Sequence, residues 1–226
     1  MSETLIPEAR VRQAPDGAAV MNQLPAGSDA RAESPLHHAD FAGLAADAPS
    51  AGGVTLRELA LRGHLILRGD QSNSGFTAAC ARVLGVGLPM LPLTSAEKGD
   101  IAARWLSPDE WLVTVPYEKA YALEKALRSG AEGHFSVVNV SGGQTILTLS
   151  GPRAVDVLKK STPLDLHPRE FPVGKVAGSV FAKSSVLLRR TGEESWELVV
   201  RRSFADYLWL WLQDASREYG LIVSQK

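Results

Sequence analysis

Apolar residues recur along this chain with two periods, and the alternating, strand-like period is clearest in one central stretch. β-branched and aliphatic residues dominate Val137–Val140 and Thr145–Leu149, and Gly142 and Gly143 lie between these two runs. Such runs separated by a glycine pair are typical of a β-hairpin with a tight turn. We therefore predict a strand, a turn and a second strand here.

The residues that follow this predicted hairpin favour a helix. Pro152 suits the first helical turn, because the amide hydrogen that proline lacks would have no partner there. Lys159 and Lys160 suit the last turn, where positive charge interacts favourably with the helix dipole. The pattern predicts a helix over Pro152–Lys160, and the stretch Phe135–Lys160 becomes the join between two parts of the chain.

Before this join, the same periods predict the order β-α-β-β-α-β, the split arrangement of a ferredoxin-like unit. The predicted elements are strands Thr55–Leu61 and His64–Leu67 with a break at Arg62-Gly63, a helix ending at Leu84, strands Asp100–Leu106 and Glu110–Val115, a helix Tyr117–Arg128 and a strand Phe135–Val140. Cys80 falls on the apolar stripe of the first helix, which predicts a buried and unreactive thiol.

A second set of elements follows the join in a similar order. It comprises strands Gln144–Leu149, Gly174–Phe181, Ser185–Arg190 and Glu194–Val200, with helices Pro152–Lys160 and Phe204–Glu218. We predict an α+β fold of two ferredoxin-like halves, residues 53–140 and 141–226, which share element order without sharing sequence.

The last predicted helix is apolar around most of its circumference. Ser203 is predicted as its N-cap. One apolar stripe with helical spacing comprises Phe204, Tyr207, Leu208, Trp211, Leu212 and Ala215. Trp209 and Leu210 lie outside this stripe, one on each flank. Either the helix packs under the sheet with Trp209 partly covered, or a second chain covers it, since large exposed apolar patches are uncommon on monomers.

Residues 1–52 differ from the rest of the chain. They contain five of the 13 prolines and a single aromatic residue, Phe41, and no apolar period persists in them. We predict an extended or flexible N-terminal arm, because little apolar surface is available to offset the entropy of ordering. His37 and His38 are adjacent there with no further ligand nearby, and we expect solvated side chains.

Charge and composition exclude several function classes. The net charge is -1 and Cys80 is the single cysteine, whereas a nucleic-acid surface would be basic and a disulfide framework needs several cysteines. The first residues lack the basic start and apolar run of a signal peptide, and no apolar run approaches the roughly 18 residues of a membrane span. We expect a cytoplasmic protein with neither a nucleic-acid nor a membrane partner.

Familiar catalytic motifs are absent from the sequence. There is no HExxH, no GxSxG and no GxxxxGK[ST] motif, and Gly85-Val86-Gly87 follows a helix and lacks the third glycine of a dinucleotide loop. The densest polar cluster comprises Asp165, His167, Arg169 and Glu170. This loop could form a site, cap itself or contact another chain. We predict no catalytic, no cofactor-binding and no metal-binding residue in this chain.

Three longer sequence segments resemble a known family. They are Leu106–Pro116, Asn139–Lys175 and Glu197–Leu212, and together they resemble the gamma subunit of heterotetrameric sarcosine oxidase. The likeness extends over about Val54–Val223, and more distantly the chain is similar to the folate-binding fold of the glycine-cleavage T protein.

This resemblance implies a complex of alpha, beta, gamma and delta subunits. Such a complex oxidatively demethylates sarcosine to glycine with oxygen as the electron acceptor, and forms hydrogen peroxide and 5,10-methylenetetrahydrofolate. The resemblance implies FAD, FMN, NAD, tetrahydrofolate and zinc for the partner subunits and no cofactor for this chain.

Two departures from the T proteins bear on the role of the chain. Asn139-Val140-Ser141 replaces the Asp-x-Ser of T proteins, and the stretch Ala182–Leu187 has no acid where T proteins have a folate-facing carboxylate. One-carbon transfer at a folate nitrogen needs such a group to hold and protonate the substrate. The leading hypothesis is a non-catalytic structural subunit, and the alternative is a stand-alone folate-binding or one-carbon-transfer protein.

Overall fold

Two β-sheets pack face to face, and helices cover the outer face of each sheet. The structure, a computed structural model, describes residues 32–49 and 51–224. The strands are β1 Val54–Leu59, β2 Arg62–Gly69, β3 Ser95–Lys98, β4 Ile101–Ser107, β5 Glu110–Pro116, β6 Phe135–Asn139, β7 Gln144–Ser150, β8 Val176–Phe181, β9 Ser184–Gly192, β10 Ser195–Arg201 and β11 Leu221–Val223. The α-helices are α1 Phe41–Ala46, α2 Ser74–Leu84, α3 Tyr117–Gly130, α4 Ala154–Lys159 and α5 Ala205–Ser216.

The five-stranded sheet has the strand order β3-β4-β5-β2-β6. Trp111, Val113 and Val115 of β5 point to its outer face and pack against α2 and α3, as their alternation predicts. Cys80 of α2 lies in the same core, which confirms the predicted buried thiol. The elements of this half follow the predicted ferredoxin-like order, with the short edge strand β3 in addition.

The six-stranded sheet has the order β11-β1-β7-β10-β9-β8 and repeats the topology of the first. The series β7-α4-β8-β9-β10-α5-β11 matches β2-α2-β3-β4-β5-α3-β6 element for element, so the predicted fold of two similar α+β halves is confirmed. The element that departs from this repeat is β1, which inserts between β11 and β7 through Leu56↔Val223 and Leu56↔Leu149.

Strand β1 therefore pairs with the second half, although it lies in the stretch 53–140 that we assigned to the first. The predicted break at Arg62-Gly63 is wrong, since both residues begin β2. The chain turns at Leu61, which has a φ of 53°, and crosses there from one sheet to the other. Leucine is not a residue type that usually adopts a positive φ, so the sequence gives no clear signal for a turn at this position.

The predicted hairpin around Gly142-Gly143 is also wrong. Strand β6 belongs to the five-stranded sheet and β7 to the six-stranded sheet, so these strands do not pair. Between them, Ser141–Gly143 forms a 3-10 turn. Neither glycine has the positive φ that a type I′ hairpin turn requires. The segment is a crossover between the two sheets.

Part of the predicted N-terminal arm is folded. Leu36 is completely buried in the core of the six-stranded half, and Phe41 and Leu44 of α1 pack against the same core. The prediction of an extended or flexible segment is thus wrong for residues 34–46, where these three apolar side chains pack in or against the core. Residues 1–31 and 50 of the predicted arm lie outside the described residues.

Helix α5 is rotated relative to the predicted stripe. Its buried residues are Ala205, Leu208, Trp209, Leu212 and Ser216. Trp209 is 2% exposed and packs 5.0 Å from the ring of Phe41, whereas Trp211 is 37% exposed. The N-cap position is taken by Phe204 and not by Ser203, because the 3-10 turn Arg202–Phe204 precedes the helix. The chain's own α1 thus covers Trp209.

Candidate functional site

A cleft of about 740 Å³ opens where the crossover between the sheets meets the end of β10. Its lining residues are Ile66, Val140, Gly142, Gly143, Gln144, Arg201, Arg202 and Ser203. The strand register explains this arrangement, because Arg201 lies opposite Gln144 at the end of the β7–β10 ladder. The cleft therefore combines an apolar base, an open backbone turn and two arginines.

The polar side chains beside this turn bond to one another. The carboxamide Oδ1 of Asn139 accepts hydrogen bonds from the Ser141 amide at 3.1 Å and from its hydroxyl at 2.5 Å. The Ser141 hydroxyl oxygen in turn accepts a 3.0 Å hydrogen bond from the amide of His64. Asn139 and Ser141 thus stabilise the crossover and fasten it to β2.

His64 is fully buried between the sheets next to this turn. Burial, and to a lesser extent the nearby Arg104 guanidinium, lowers the pKa of its imidazole to about 4. Nδ1 lies 3.1 Å from the carbonyl oxygen of Arg62, while Nε2 has no hydrogen-bond partner among the described residues. His64 is neutral at physiological pH and is enclosed by protein, which does not suit a proton donor to a solvent-borne substrate.

A network of ion pairs fills the space between the two sheets. Arg104 of β4 donates to the Glu197 carboxylate of β10 at 2.6 Å and to the Thr114 hydroxyl at 2.8 Å. Arg189 of β9 donates to the same carboxylate at 3.3 Å and pairs also with Glu97 of β3. Burial lowers the pKa of the Arg104 guanidinium, and Glu197 opposes that shift. These charges neutralise one another across the sheets.

A second cavity, of about 430 Å³, lies between α1 and β1. The buried carboxylate of Glu58 reaches it and accepts hydrogen bonds from the Ser34 hydroxyl at 2.9 Å and from the Thr145 hydroxyl at 2.7 Å. These bonds join residue 34 of the N-terminal segment to the sheet. Glu58 thus has a structural role, which sequence reasoning missed because its partners lie 24 and 87 residues away.

The loop with the densest polar cluster caps itself. Asp165 Oδ1 accepts a 2.9 Å hydrogen bond from the amide of His167, and His167 Nδ1 accepts one from the amide of Arg169 at 3.3 Å. The side chains of all four clustered residues are exposed, whereas Leu166 and Phe171 anchor the loop in the core. Of the interpretations that the sequence left open, this bonding favours loop capping.

The remaining candidate groups lie apart from the cleft. Burial raises the pKa of the Cys80 thiol to about 12. His38 Nε2 lies 3.0 Å from Asp206 Oδ1 at the start of α5. Within residues 32–49 and 51–224, no three histidine, cysteine or acidic side chains converge as metal ligands would. In that same part of the chain, no helix has the length and apolar character to cross a membrane.

Large apolar side chains are exposed along the outer side of α5. Phe204 is 38% exposed, Leu210 57% and Trp211 37%. The rings of Tyr207 and Trp211 lie 6.2 Å apart, and Trp211 Nε1 donates a 2.8 Å hydrogen bond to the Ser161 hydroxyl. We call Phe204, Tyr207, Leu210 and Trp211 the outer face of α5.

Comparison with known proteins gives one consistent family. Residues 68–218 match the model of the sarcosine oxidase, gamma subunit family. The chain is 41% identical over 192 residues to a sarcosine oxidase subunit gamma of Corynebacterium sp. (strain U-96), covering 83% of this chain and 91% of that protein. It is 39% identical over 189 residues to the corresponding subunit of an Arthrobacter species, with the same coverage.

Solved structures agree with this match. A chain of the heterotetrameric sarcosine oxidase from Corynebacterium sp. U-96 superposes with a TM-score of 0.75 at 38% identity, over 83% of this chain and 96% of that one. Glycine cleavage system aminomethyltransferase T from Bartonella henselae superposes with a TM-score of 0.56 at 15% identity, over 84% of this chain and 51% of that one. The second likeness shows a shared fold.

Proposed function

The chain belongs to the sarcosine oxidase gamma subunit family, and we propose that it is a structural subunit without catalytic residues of its own. Membership of this family makes it part of an oxidoreductase complex and implies partner subunits. In this proposal the complex as a whole demethylates sarcosine, and this chain binds the partner subunits.

The observation that carries this proposal is the outer face of α5. Three of its large apolar side chains are more than a third exposed, although the helix buries Leu208, Trp209 and Leu212 on its other side. Exposed apolar patches with aromatic residues are typical of protein–protein interfaces. A subunit that binds partners through such a face needs no reactive group.

The ion pairs between the sheets support the non-catalytic part of the proposal. Between the sheets, Glu197 pairs with Arg104 and Arg189, and Glu97 pairs with Arg189, so both of these carboxylates are already engaged by arginines. The stretch Ala182–Leu187 has no acidic residue, and Asn139 is engaged with Ser141. These residues therefore lack the acidic group with which a one-carbon transferase would hold and protonate tetrahydrofolate.

We accordingly place the cofactors on the partners. FAD, FMN, NAD, tetrahydrofolate and zinc are proposed to bind to the alpha, beta and delta subunits. The sequence similarity to aminomethyltransferases does not favour the folate-binding alternative over the structural role. The match to the Saccharopolyspora erythraea enzyme covers only 54% of this chain and 34% of that enzyme. Fold similarity alone does not transfer an activity.

Reconstitution of the oxidase tests the structural role. The alpha, beta and delta subunits are co-expressed with and without this chain, and assembly is followed by size-exclusion chromatography and sarcosine-dependent oxygen consumption. We expect the four-subunit complex to form with the chain and to be lost without it. Stable, fully active assembly of the other three subunits alone would contradict the proposal.

The same complex tests whether the chain is catalytic. Asp165→Asn, His167→Ala and Glu58→Gln remove the exposed and buried polar groups that most resemble catalytic candidates. We expect each assembled variant to keep the kcat of the unmodified complex within about twofold, since the partners hold the reacting groups. A variant that assembles normally but loses more than about tenfold in kcat would identify a catalytic residue here.

A further inference from the structure

We propose that the cleft and the outer face of α5 form one continuous docking surface for a segment of a partner subunit that presents a carboxylate beside apolar side chains. The inference rests on the proposed function and specifies where the partner binds and by which chemistry. It uses the cleft at the crossover, which the structural role described above leaves unexplained.

The first observation concerns Gly142 and Gly143, which the fold does not require. A Cβ atom added at either position would meet no atom within 4 Å, and neither residue has a positive φ. Glycine in such a place lowers stability by roughly 0.5–1 kcal/mol relative to alanine, because it raises the entropy of the unfolded chain. What the missing side chains do provide is an open wall of the cleft, where another backbone can approach closely.

The second observation is the charge of the cleft. Arg201 and Arg202 are both exposed, and both line it. The side chain of Arg201 has no hydrogen bond or ion pair within the part of the chain that the structure describes. The guanidinium group is a planar fork that binds a carboxylate through two parallel hydrogen bonds. The cleft is therefore complementary to an acidic side chain.

The third observation is that the cleft continues into the outer face of α5. Ser203 lines the cleft, and Phe204 follows it at the start of the helix. The Trp211 ring is held by its hydrogen bond to Ser161 and by its contact with Tyr207. An aromatic side chain that is already ordered loses little entropy on binding, which suits a binding hot spot.

These features favour a partner subunit over the other possible occupants. A small anion in the cleft would leave Leu210 and Trp211 exposed, since they lie outside it. A second copy bound by two-fold symmetry would bring the same surface of both chains together. Arg201 and Arg202 of one copy would then face those of the other, and like charges at an interface repel.

The test compares matched variants during assembly of the complex. Arg201→Glu with Arg202→Glu reverses the charge of the cleft, and Gly142→Leu fills it. Arg169→Glu and Gly87→Leu are the controls, because Arg169 is exposed and does not line the cleft, and Gly87 also has open space and no positive φ. Urea unfolding of each full-length chain verifies that the fold persists.

We expect both cleft variants to lower co-purification with the partner subunits by about tenfold or more, while both controls assemble like the unmodified chain. Assembly of the unmodified chain should also weaken as sodium chloride is raised, and this dependence should be smaller in the charge-reversed variant. Normal assembly of the cleft variants beside an assembling unmodified chain would overturn the docking inference alone. Failure of the unmodified chain to assemble would overturn the proposed function as well.

Two further outcomes would replace the partner with another occupant. The first outcome concerns calorimetry with citrate on the full-length chain. The cleft would be a small-anion site if citrate binds, if the double variant Arg201→Glu with Arg202→Glu abolishes that binding, and if the same variant assembles normally. Size-exclusion chromatography would show self-association if the unmodified chain is a dimer that the same charge reversal dissociates. Either result would overturn the partner-docking inference.

Discussion

The Glu197 carboxylate on β10 accepts a 2.6 Å hydrogen bond from Arg104 on β4, whose side chain is 1% exposed. The same carboxylate lies 3.3 Å from Arg189 on β9. One acidic side chain is therefore shared by two buried arginines and joins the two sheets, and Glu97 supplies Arg189 with a second negative charge. Because a buried cation without a partner is costly, this contact holds the two halves in one arrangement.

We predict that Glu197→Gln strongly destabilises the chain. The substitution keeps the size of the side chain but leaves Arg104 and Arg189 without their shared counter-charge. Removing one partner of a buried ion pair typically costs about 3–5 kcal/mol. Urea unfolding followed by tryptophan fluorescence measures the change.

Glu194→Gln is the matched control for this prediction. Glu194 is exposed in the turn between β9 and β10, so Glu194→Gln makes the same chemical change at the surface. We expect its free energy of unfolding to stay within about 0.5 kcal/mol of the unmodified value. Equal unfolding midpoints for both variants would show that the ion pairs between the sheets contribute nothing to stability.

We predict that His64 makes stability depend on pH in the mildly acidic range. The pKa of His64 is lowered from 6.5 to about 4 in the folded state, so between these pH values the imidazole is protonated in the unfolded chain and neutral in the folded chain. Stability therefore falls as the pH drops from about 6.5 towards 4, by up to about 3 kcal/mol in total. Below pH 4 both states are protonated, and this contribution no longer changes.

Unfolding of two histidine variants as a function of pH checks the assignment. His64→Leu removes the titrating group, and we expect a flatter stability profile between pH 6.5 and 4. The exposed His134 serves as the control, and His134→Leu should keep the slope of the unmodified chain. A slope that persists in His64→Leu would assign the pH dependence to other groups.

We predict that Gly151→Ala destabilises the join between β7 and α4. Gly151 has a φ of 112°, and a Cβ atom there would lie 2.5 Å from the carbonyl oxygen of Gly53. The strained φ alone costs about 1–3 kcal/mol, and the close contact adds to it. Thermal unfolding measures the loss, with Gly178→Ala as the control because a Cβ atom there meets no atom within 4 Å.

We predict opposite consequences for the two tryptophans of α5. Trp209→Ala removes a buried ring and should lower the free energy of unfolding by about 3–5 kcal/mol. Trp211→Ala should cost the isolated chain about 1 kcal/mol, through its hydrogen bond to Ser161, and should weaken partner binding by more than tenfold. Urea unfolding and co-purification separate the two effects. A large stability loss in Trp211→Ala would contradict the orientation of the helix.

The candidate site illustrates where sequence reasoning stops. The glycine pair, Arg201 and Ser203 are all visible in the sequence, but they belong to three different elements. Their meeting depends on the pairing of Arg201 with Gln144 and on the crossover at Ser141–Gly143. Local periodicity contains no information on such long-range pairings, so the same glycines predicted a hairpin.

The sequence by itself determined the order of the longer helices and strands, the burial of Cys80 and the family resemblance, because periodicity and motifs are local properties. Tertiary structure alone decided that β1 joins the second sheet and that β6 and β7 separate. It also decided which tryptophan of α5 is buried. Trp209 and Trp211 are equally apolar and lie about 200° apart on the helix, so only the position of Phe41 and the sheet determines which ring is covered and which remains for a partner.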